Sequence, residues 1–306
     1  MTRVLGRGVV EGVLDVGACL GVLREGFLAA DGDPGGAQRV RAALGGADVA
    51  TVLLPGRLPG IDAYTVKVNA KFPAARPALR GVVCLHDARD GALLALLDSA
   101  TVTAWRTGLA AALGTDALAP PGARTLAVVG AGAQAELTLR GLRALRPGLR
   151  ELLVHDIDPA RAEAFAARHG GRAVASPAAA AARAEAVLLA TWAREPLLAA
   201  ADLPPDGRPR HLTSLGADEP GKRELAADLQ EEAFVVVDDR ALAERCGTGP
   251  VDATLAEVLR GRRRPSAAGR TVYAPVGLPW QDLALAWTAY RAAERLGLGT
   301  TVDLLA

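Results

Sequence analysis

The sequence predicts an α/β protein: a Rossmann-type doubly wound parallel sheet joined to a discontinuous α+β domain. Three observations carry that prediction. From about residue 120 onward, short β-branched runs alternate with Ala-rich helical stretches, as parallel strands flanked by helices do. At 128–135 an apolar run passes into VVGAGAQA, a glycine turn that opens a helix. The chain has 306 residues, more than one core usually needs, and its first third is patterned differently.

Taken in order, the first element is a helix after Asp15, VGACLGVLREGFLAA, which ends before the turn-rich DGDPGG. Strand-like runs follow at 49–56, 63–72, 81–91 and 92–98. The Asp/Gly chemistry of HDARDG predicts that the last two pair antiparallel. A helix after Asp98, SATVTAWRTGLAAALGTDAL, leads to the second region. There the strand TLAVV, the glycine turn and a helix are followed by the strand ELLVHDID and the helix PARAEAFAARHG. Residues 176–191 read as helix then strand, because Ser176-Pro177 starts a helix well and alanine propagates it. RHLTSLGAD, a short helix and AFVVVDD continue the alternation. The dense basic run RGRRRPSAAGR (260–270) has Gly and Pro around it and no aromatic residues, so it reads as a solvated loop. A last helix, WQDLALAWTAYRAAERLGLG, has apolar residues at helical spacing and is expected to return to the N-terminal region. The expected domains are therefore 1–112 with 278–306, and 113–277.

Composition excludes several functions. Hydrophobic residues make up 50% and charged residues 23%, an ordinary globular balance. The formal net charge of +1 gives no electrostatic case for nucleic acid or an anionic membrane. No run approaches the ~18 apolar residues of a membrane span, and MTRVLGRGVVEGVLD lacks the apolar core of a signal peptide. Cys19, Cys84 and Cys246 form no CxxC pair, which predicts reduced thiols and a cytoplasmic setting. His86, His155, His169 and His211 are dispersed, so no metal site is expected.

The glycine turn is the first motif with chemistry. Gly130 permits the tight turn, Gly132 lets a pyrophosphate approach the backbone, and Ala133 and Gln134 begin the helix whose N–H groups face it. Asp156 ends the next strand, where a carboxylate accepts from ribose hydroxyls and repels a 2′-phosphate; that favours NAD over NADP. The alternative is a βα turn of another doubly wound protein. The second signal is YTVKVNAKFP (64–73). Of 35 Lys and Arg residues only three are lysine, Lys67, Lys71 and Lys222. Alternation puts Lys67 on one face with Thr65, Asn69 and Lys71, and Tyr64, Val66, Val68 and Phe72 on the other. Either this is a solvated face with an edge lysine, or it lines a site that needs an ammonium, which can lose its proton as guanidinium cannot.

Several motifs together resemble the ornithine cyclodeaminase/mu-crystallin family over nearly the whole chain. They are VKVNAKFP (66–73), HDARDGALLALLD (86–98), VTAWRTG (102–108), VVGAGAQA, VHDID (154–158), HLTSLGADEPGKREL (211–225) and VGLPWQDLALA (276–286). The resemblance implies a Rossmann NAD-binding domain and a substrate-binding domain that pairs subunits into a homodimer. It implies nicotinamide-dependent chemistry at the Cα–N bond of an α-amino or imino acid. Asp218 matches the catalytic carboxylate, with a helix N-cap as the structural alternative because PGKREL looks helical. Arg106 matches the arginine that grips the substrate carboxylate, and Lys67 a catalytic and substrate-binding lysine. Thr107, Thr191, Gly216 and Val276 match cofactor contacts. Lys222 matches a family position or is a surface charge on a first helical turn. The chain departs from the ornithine pattern: 49–55 offers no arginine, PGRLPG (55–60) carries no glutamate, and Pro275 and Trp192-Ala193 replace small polar residues. These changes argue against a diamino-acid cyclodeaminase. The reading is an NAD(H)-dependent amino-acid dehydrogenase or imine reductase, with a redox-neutral cyclodeaminase or a non-catalytic dinucleotide-binding protein as alternatives.

Overall fold

The computed structural model describes residues 1–30, 40–43, 50–72, 75, 77–208, 210–219, 221–266 and 269–304. The turn expected at 31–36 lies outside them. In chain order the elements are β1 (Thr2–Leu5), α1 (Arg7–Val13), α2 (Val16–Ala29), β2 (Val40–Ala43), β3 (Ala50–Gly56), β4 (Ala63–Lys71), β5 (Leu79–Asp87), β6 (Leu93–Asp98) and α3 (Ser99–Leu118). Then come β7 (Thr125–Val129), α4 (Ala133–Leu145), β8 (Glu151–His155), α5 (Pro159–His169), β9 (Arg172–Ala173), α6 (Pro177–Ala181), β10 (Ala186–Leu189), β11 (Arg210–Ser214) and α7 (Ala227–Glu231). The chain ends with β12 (Ala233–Val237), α8 (Arg240–Cys246), β13 (Ala253–Thr254), α9 (Leu255–Leu259), β14 (Arg270–Tyr273), α10 (Pro279–Arg295) and β15 (Thr300–Val302). They form two compact units, Met1–Thr107 with Leu278–Ala306, and Gly108–Gly277.

The first unit carries a seven-stranded sheet in the order β15-β1-β6-β5-β4-β3-β2. Neighbouring strands run antiparallel except β1 and β6, and the β5–β6 pair is the hairpin that HDARDG predicts. Asp15 caps α2 by accepting from the Ala18 N–H, and Asp98 caps α3 by accepting from the N–H and hydroxyl of Thr101. α10 lies across β3, β4 and β5 and against α2, where the Trp280 ring meets Phe27 edge-on at 5.0 Å. Gly26 makes room for that ring, since a Cβ there would overlap it. Sequence reasoning passed over β1, α1, β2 and β15: each is short, and α1 is interrupted by glycine.

The second unit is the doubly wound sheet, eight parallel strands in the order β13-β12-β14-β11-β10-β7-β8-β9. Its strands are buried on both faces, which is why they read as unbroken apolar runs. The chain order reverses between β7 and β10. Such a switch point opens a crevice at the carboxyl ends of the strands, where doubly wound sheets hold ligands. Among the described residues no helix is long and apolar enough to cross a membrane.

Candidate functional site

In the first unit the expected alternation of β4 holds, but the polar face is the buried one. Thr65, Lys67 and Asn69 point inward, while Tyr64, Val66 and Val68 are half-exposed. Lys67 is completely enclosed, at 0% exposure, which removes the solvated-edge reading. Its Nζ donates to Oδ2 of Asp282 at 2.5 Å and to Oγ1 of Thr103 at 3.3 Å. Asn69 donates to the same hydroxyl at 3.3 Å. One turn further along α3, Arg106 brings its Nε to 3.4 Å from Oδ1 of Asp282, and its Nη1 donates to Gln281 at 3.4 Å. Three elements build the cluster: β4 supplies Lys67 and Asn69, α3 supplies Thr103 and Arg106, and the first turn of α10, opened by Pro279, supplies Gln281 and Asp282. Two cations, Lys67 and Arg106, share the Asp282 carboxylate. Buried polar atoms here, Nε2 of Gln281, Oδ1 of Asn69 and Oδ1 of Asp282, have no hydrogen-bond partner among the described residues. Groups of that kind are costly unless a ligand meets them. The hydroxyl of Thr107, at the end of this unit, is buried in the same condition.

In the second unit Gly130 has φ +95° and donates its N–H to the His155 carbonyl at 2.8 Å. A Cβ on Gly130 would come within 2.6 Å of the Ala190 carbonyl oxygen, so the turn crosses the switch point at contact distance. Gly132 is the N-cap of α4 and supplies no side-chain cap, so the N–H groups of the first turn, Ala133 and Gln134 among them, face outward. The nearest side-chain atom to a Cβ at Gly132 would be 4.0 Å away, on Arg161. Small backbone, outward N–H groups and the helix dipole suit the pyrophosphate of a dinucleotide. Asp156 also braces the glycine turn: Oδ2 accepts from the Ala131 N–H at 2.7 Å and Oδ1 from the Asp158 N–H at 3.0 Å.

The loops after β10, β11 and β14 are tied by two buried carboxylates. Glu224 accepts from the N–H and hydroxyl of Thr191, the hydroxyl of Ser214 and the N–H of Gly216, at 2.6–2.7 Å. Burial pushes this carboxyl up from its ordinary range, and the four hydrogen bonds pull it back. Asp238 accepts from the N–H groups of Val276 and Gly277 at 2.9 and 2.6 Å. Asp218 follows Gly216 by two residues, and Lys222 donates to its Oδ1 at 2.9 Å. The helical alternative for this segment is not what the described residues show: the next helix begins only at Ala227, so Asp218 is not its N-cap and Lys222 is not on its first turn. Lys71 is half-buried and takes no part in the bonds that Lys67 makes to Asp282 and Thr103.

Gln281, Asp282, Glu224 and Asp238 escaped sequence reasoning. For Asp282 a signal existed, an acid on the apolar stripe of WQDLALAW. Glu224 and Asp238 gave none, because what they bind lies outside their own local pattern.

A profile of the ornithine cyclodeaminase/mu-crystallin family matches residues 5–296. An L-lysine cyclodeaminase of Streptomyces rapamycinicus is 39% identical over 204 residues, which span 63% of this chain and 59% of that enzyme. The ketimine reductase mu-crystallin of Mus musculus is 29% identical over 250 residues, covering 78% of this chain and 79% of that protein. An archaeal alanine dehydrogenase dimer with bound NAD superposes with a TM-score of 0.88 at 25% identity, covering 99% of both chains.

Proposed function

Because the chain belongs to the ornithine cyclodeaminase/mu-crystallin family, we propose that it is an NAD(H)-dependent oxidoreductase acting at the Cα–N bond of a small α-amino or α-imino acid. The observation that supports this most is the enclosed Lys67–Asp282–Arg106 cluster. A desolvated group of cationic donors suits one substrate carboxylate, and the planar Arg106 fork can hold it by two parallel hydrogen bonds. Asp282 keeps the two cations from repelling each other and fixes their spacing. A bound nicotinamide would supply the acceptor or donor of a hydride at the substrate Cα. In the oxidative direction an amino acid loses that hydride and one proton to give the imine; Asp218, a carboxylate in its pairing with Lys222, takes the proton from nitrogen and returns it in reduction. Gly130, Gly132, Ala133 and Gln134 would receive the pyrophosphate and Asp156 the ribose, while Thr191, Gly216 and Val276 belong to loops at the carboxyl ends of the strands.

The half-exposed face of the first unit's sheet supports a homodimer. Pro55, Val66, Cys84, Leu96 and Val4 are paired in register across five strands and form one apolar row. A second copy of the chain would cover it. Free thiols at Cys19, Cys84 and Cys246 fit a reducing cytoplasm.

A redox-neutral cyclodeaminase is the second reading, favoured by the 39% identity to the lysine enzyme. Against it, PGRLPG offers no carboxylate for a distal amine. Incubating the protein with NAD⁺ and a panel of L-amino acids, with NADH and ammonia followed together, separates the readings. Stoichiometric NADH supports the oxidoreductase; ammonia without net NADH supports the cyclodeaminase. Dinucleotide binding with neither product would overturn both.

A further inference from the structure

We infer that Glu224 is a positioning residue: its single carboxylate clasps the loops that follow β10 and β11 and so fixes where Asp218 stands. The inference rests on Asp218 being the proton-handling carboxylate of the proposed reaction. Glu224 is 1% exposed, and all four of its donors are neutral groups. A buried carboxylate with only neutral donors gains no ion-pair attraction to offset its desolvation. What it gains is geometry. Oε1 holds the N–H and hydroxyl of Thr191, and Oε2 holds the hydroxyl of Ser214 and the N–H of Gly216.

Two features show how closely the clasp is built. A Cβ on Gly216 would come within 2.6 Å of the Glu224 carboxyl carbon, so glycine is required there for the carboxylate to enter. The backbone of Glu224 also takes part, its carbonyl accepting from the N–H groups of Leu197 and Leu198 at 2.8 and 3.3 Å. Thr191–Leu198 is thus fastened at both of its ends to Glu224, which also holds Gly216. Gly216–Glu224 becomes a loop closed at its base, and within it Lys222 holds Asp218 while its own N–H donates to the Glu219 carbonyl at 3.2 Å. Freed from Glu224, the loop would keep the Asp218–Lys222 pair but lose its anchor to the strand ends.

Glu224→Gln is the discriminating variant. The N–H groups of Thr191 and Gly216 can only donate, so whichever way the new amide turns, its NH₂ opposes one of them. The measurements are NADH binding by fluorescence, kcat per dinucleotide-binding site, KM for the amino or imino acid, and amide exchange of peptides covering 189–198 and 214–226. We expect kcat per site to fall about 100-fold, as a misplacement near 1 Å does, with KM changed by less than about twofold. Exchange should rise in those two peptides alone. Gly216→Ala, which pushes on the same carboxylate, should change kcat and exchange in the same direction if Glu224→Gln folds poorly. Wild-type kcat per site in Glu224→Gln, or exchange that rises evenly over 108–277, would overturn the inference. Full activity in Asp218→Asn would instead overturn the reading beneath it, and the exchange pattern would then still decide whether the clasp exists.

Discussion

Lys67 persists as lysine in an arginine-rich chain because of what surrounds its Nζ. Asp282 at 2.5 Å and Thr103 at 3.3 Å, with no exposed surface, leave no room for the larger planar guanidinium. Lys67→Arg is therefore expected to lower kcat/KM about 100-fold by displacing Asp282 and, through it, Arg106. Lys67→Met removes the buried hydrogen bonds to Asp282 and Thr103 and should cost about 2 kcal/mol of stability in urea unfolding. A Lys67→Arg enzyme with unchanged kcat/KM would contradict the tight fit. The lysine itself was visible as a compositional oddity. Its partner was not: Asp282 lies 215 residues away, and no pattern local to either residue points to the other.

At the scale of elements, β4 shows what periodicity can and cannot fix. The alternation is plain in YTVKVNAK, but an amphipathic strand ordinarily buries its apolar face, and β4 buries its polar one against polar side chains of α3 and α10. The reversal depends on side chains that only the assembled fold brings there. β11 and β14 carry a second buried polar chain. His211 is bonded to Thr271 and Thr213 at 2.8 Å each, and Thr213 to Thr115 at 2.7 Å. Burial, with the Arg146 charge as a lesser cause, lowers the imidazole from 6.5 to about 3. The unfolded chain therefore takes up this proton first, and stability falls as pH drops from about 6.5 towards 3. At pH 5 the loss from this group is about 2 kcal/mol. Unfolding midpoints measured from pH 7 to 5 should show it, and a His211→Gln variant should show a flatter dependence. Equal slopes in the two proteins would mean that His211 is not the group responsible.

For the molecule as a whole, the doubly wound unit was the more legible, since each of its longer strands is a local apolar run and each turn a local glycine or cap. The first unit was less so. Its short strands β1 and β15 come from the two ends of the chain and pair with each other, and its apolar sheet face is left half-exposed. If a second copy covers that face, Val66→Asp places charges in the middle of the apolar row and should turn a dimer into monomers by light scattering after gel filtration. A dimer that survives this change must form elsewhere. Isotope transfer reports on chemistry at the Cα–N bond itself. The panel of amino acids, deuterated at Cα, is incubated with NAD⁺, and the reduced dinucleotide is recovered for mass spectrometry. Deuterium is expected in the nicotinamide of the NADH formed from at least one substrate, and none with Asp218→Asn. Dinucleotide that binds but gains no deuterium from any member of the panel would contradict that chemistry.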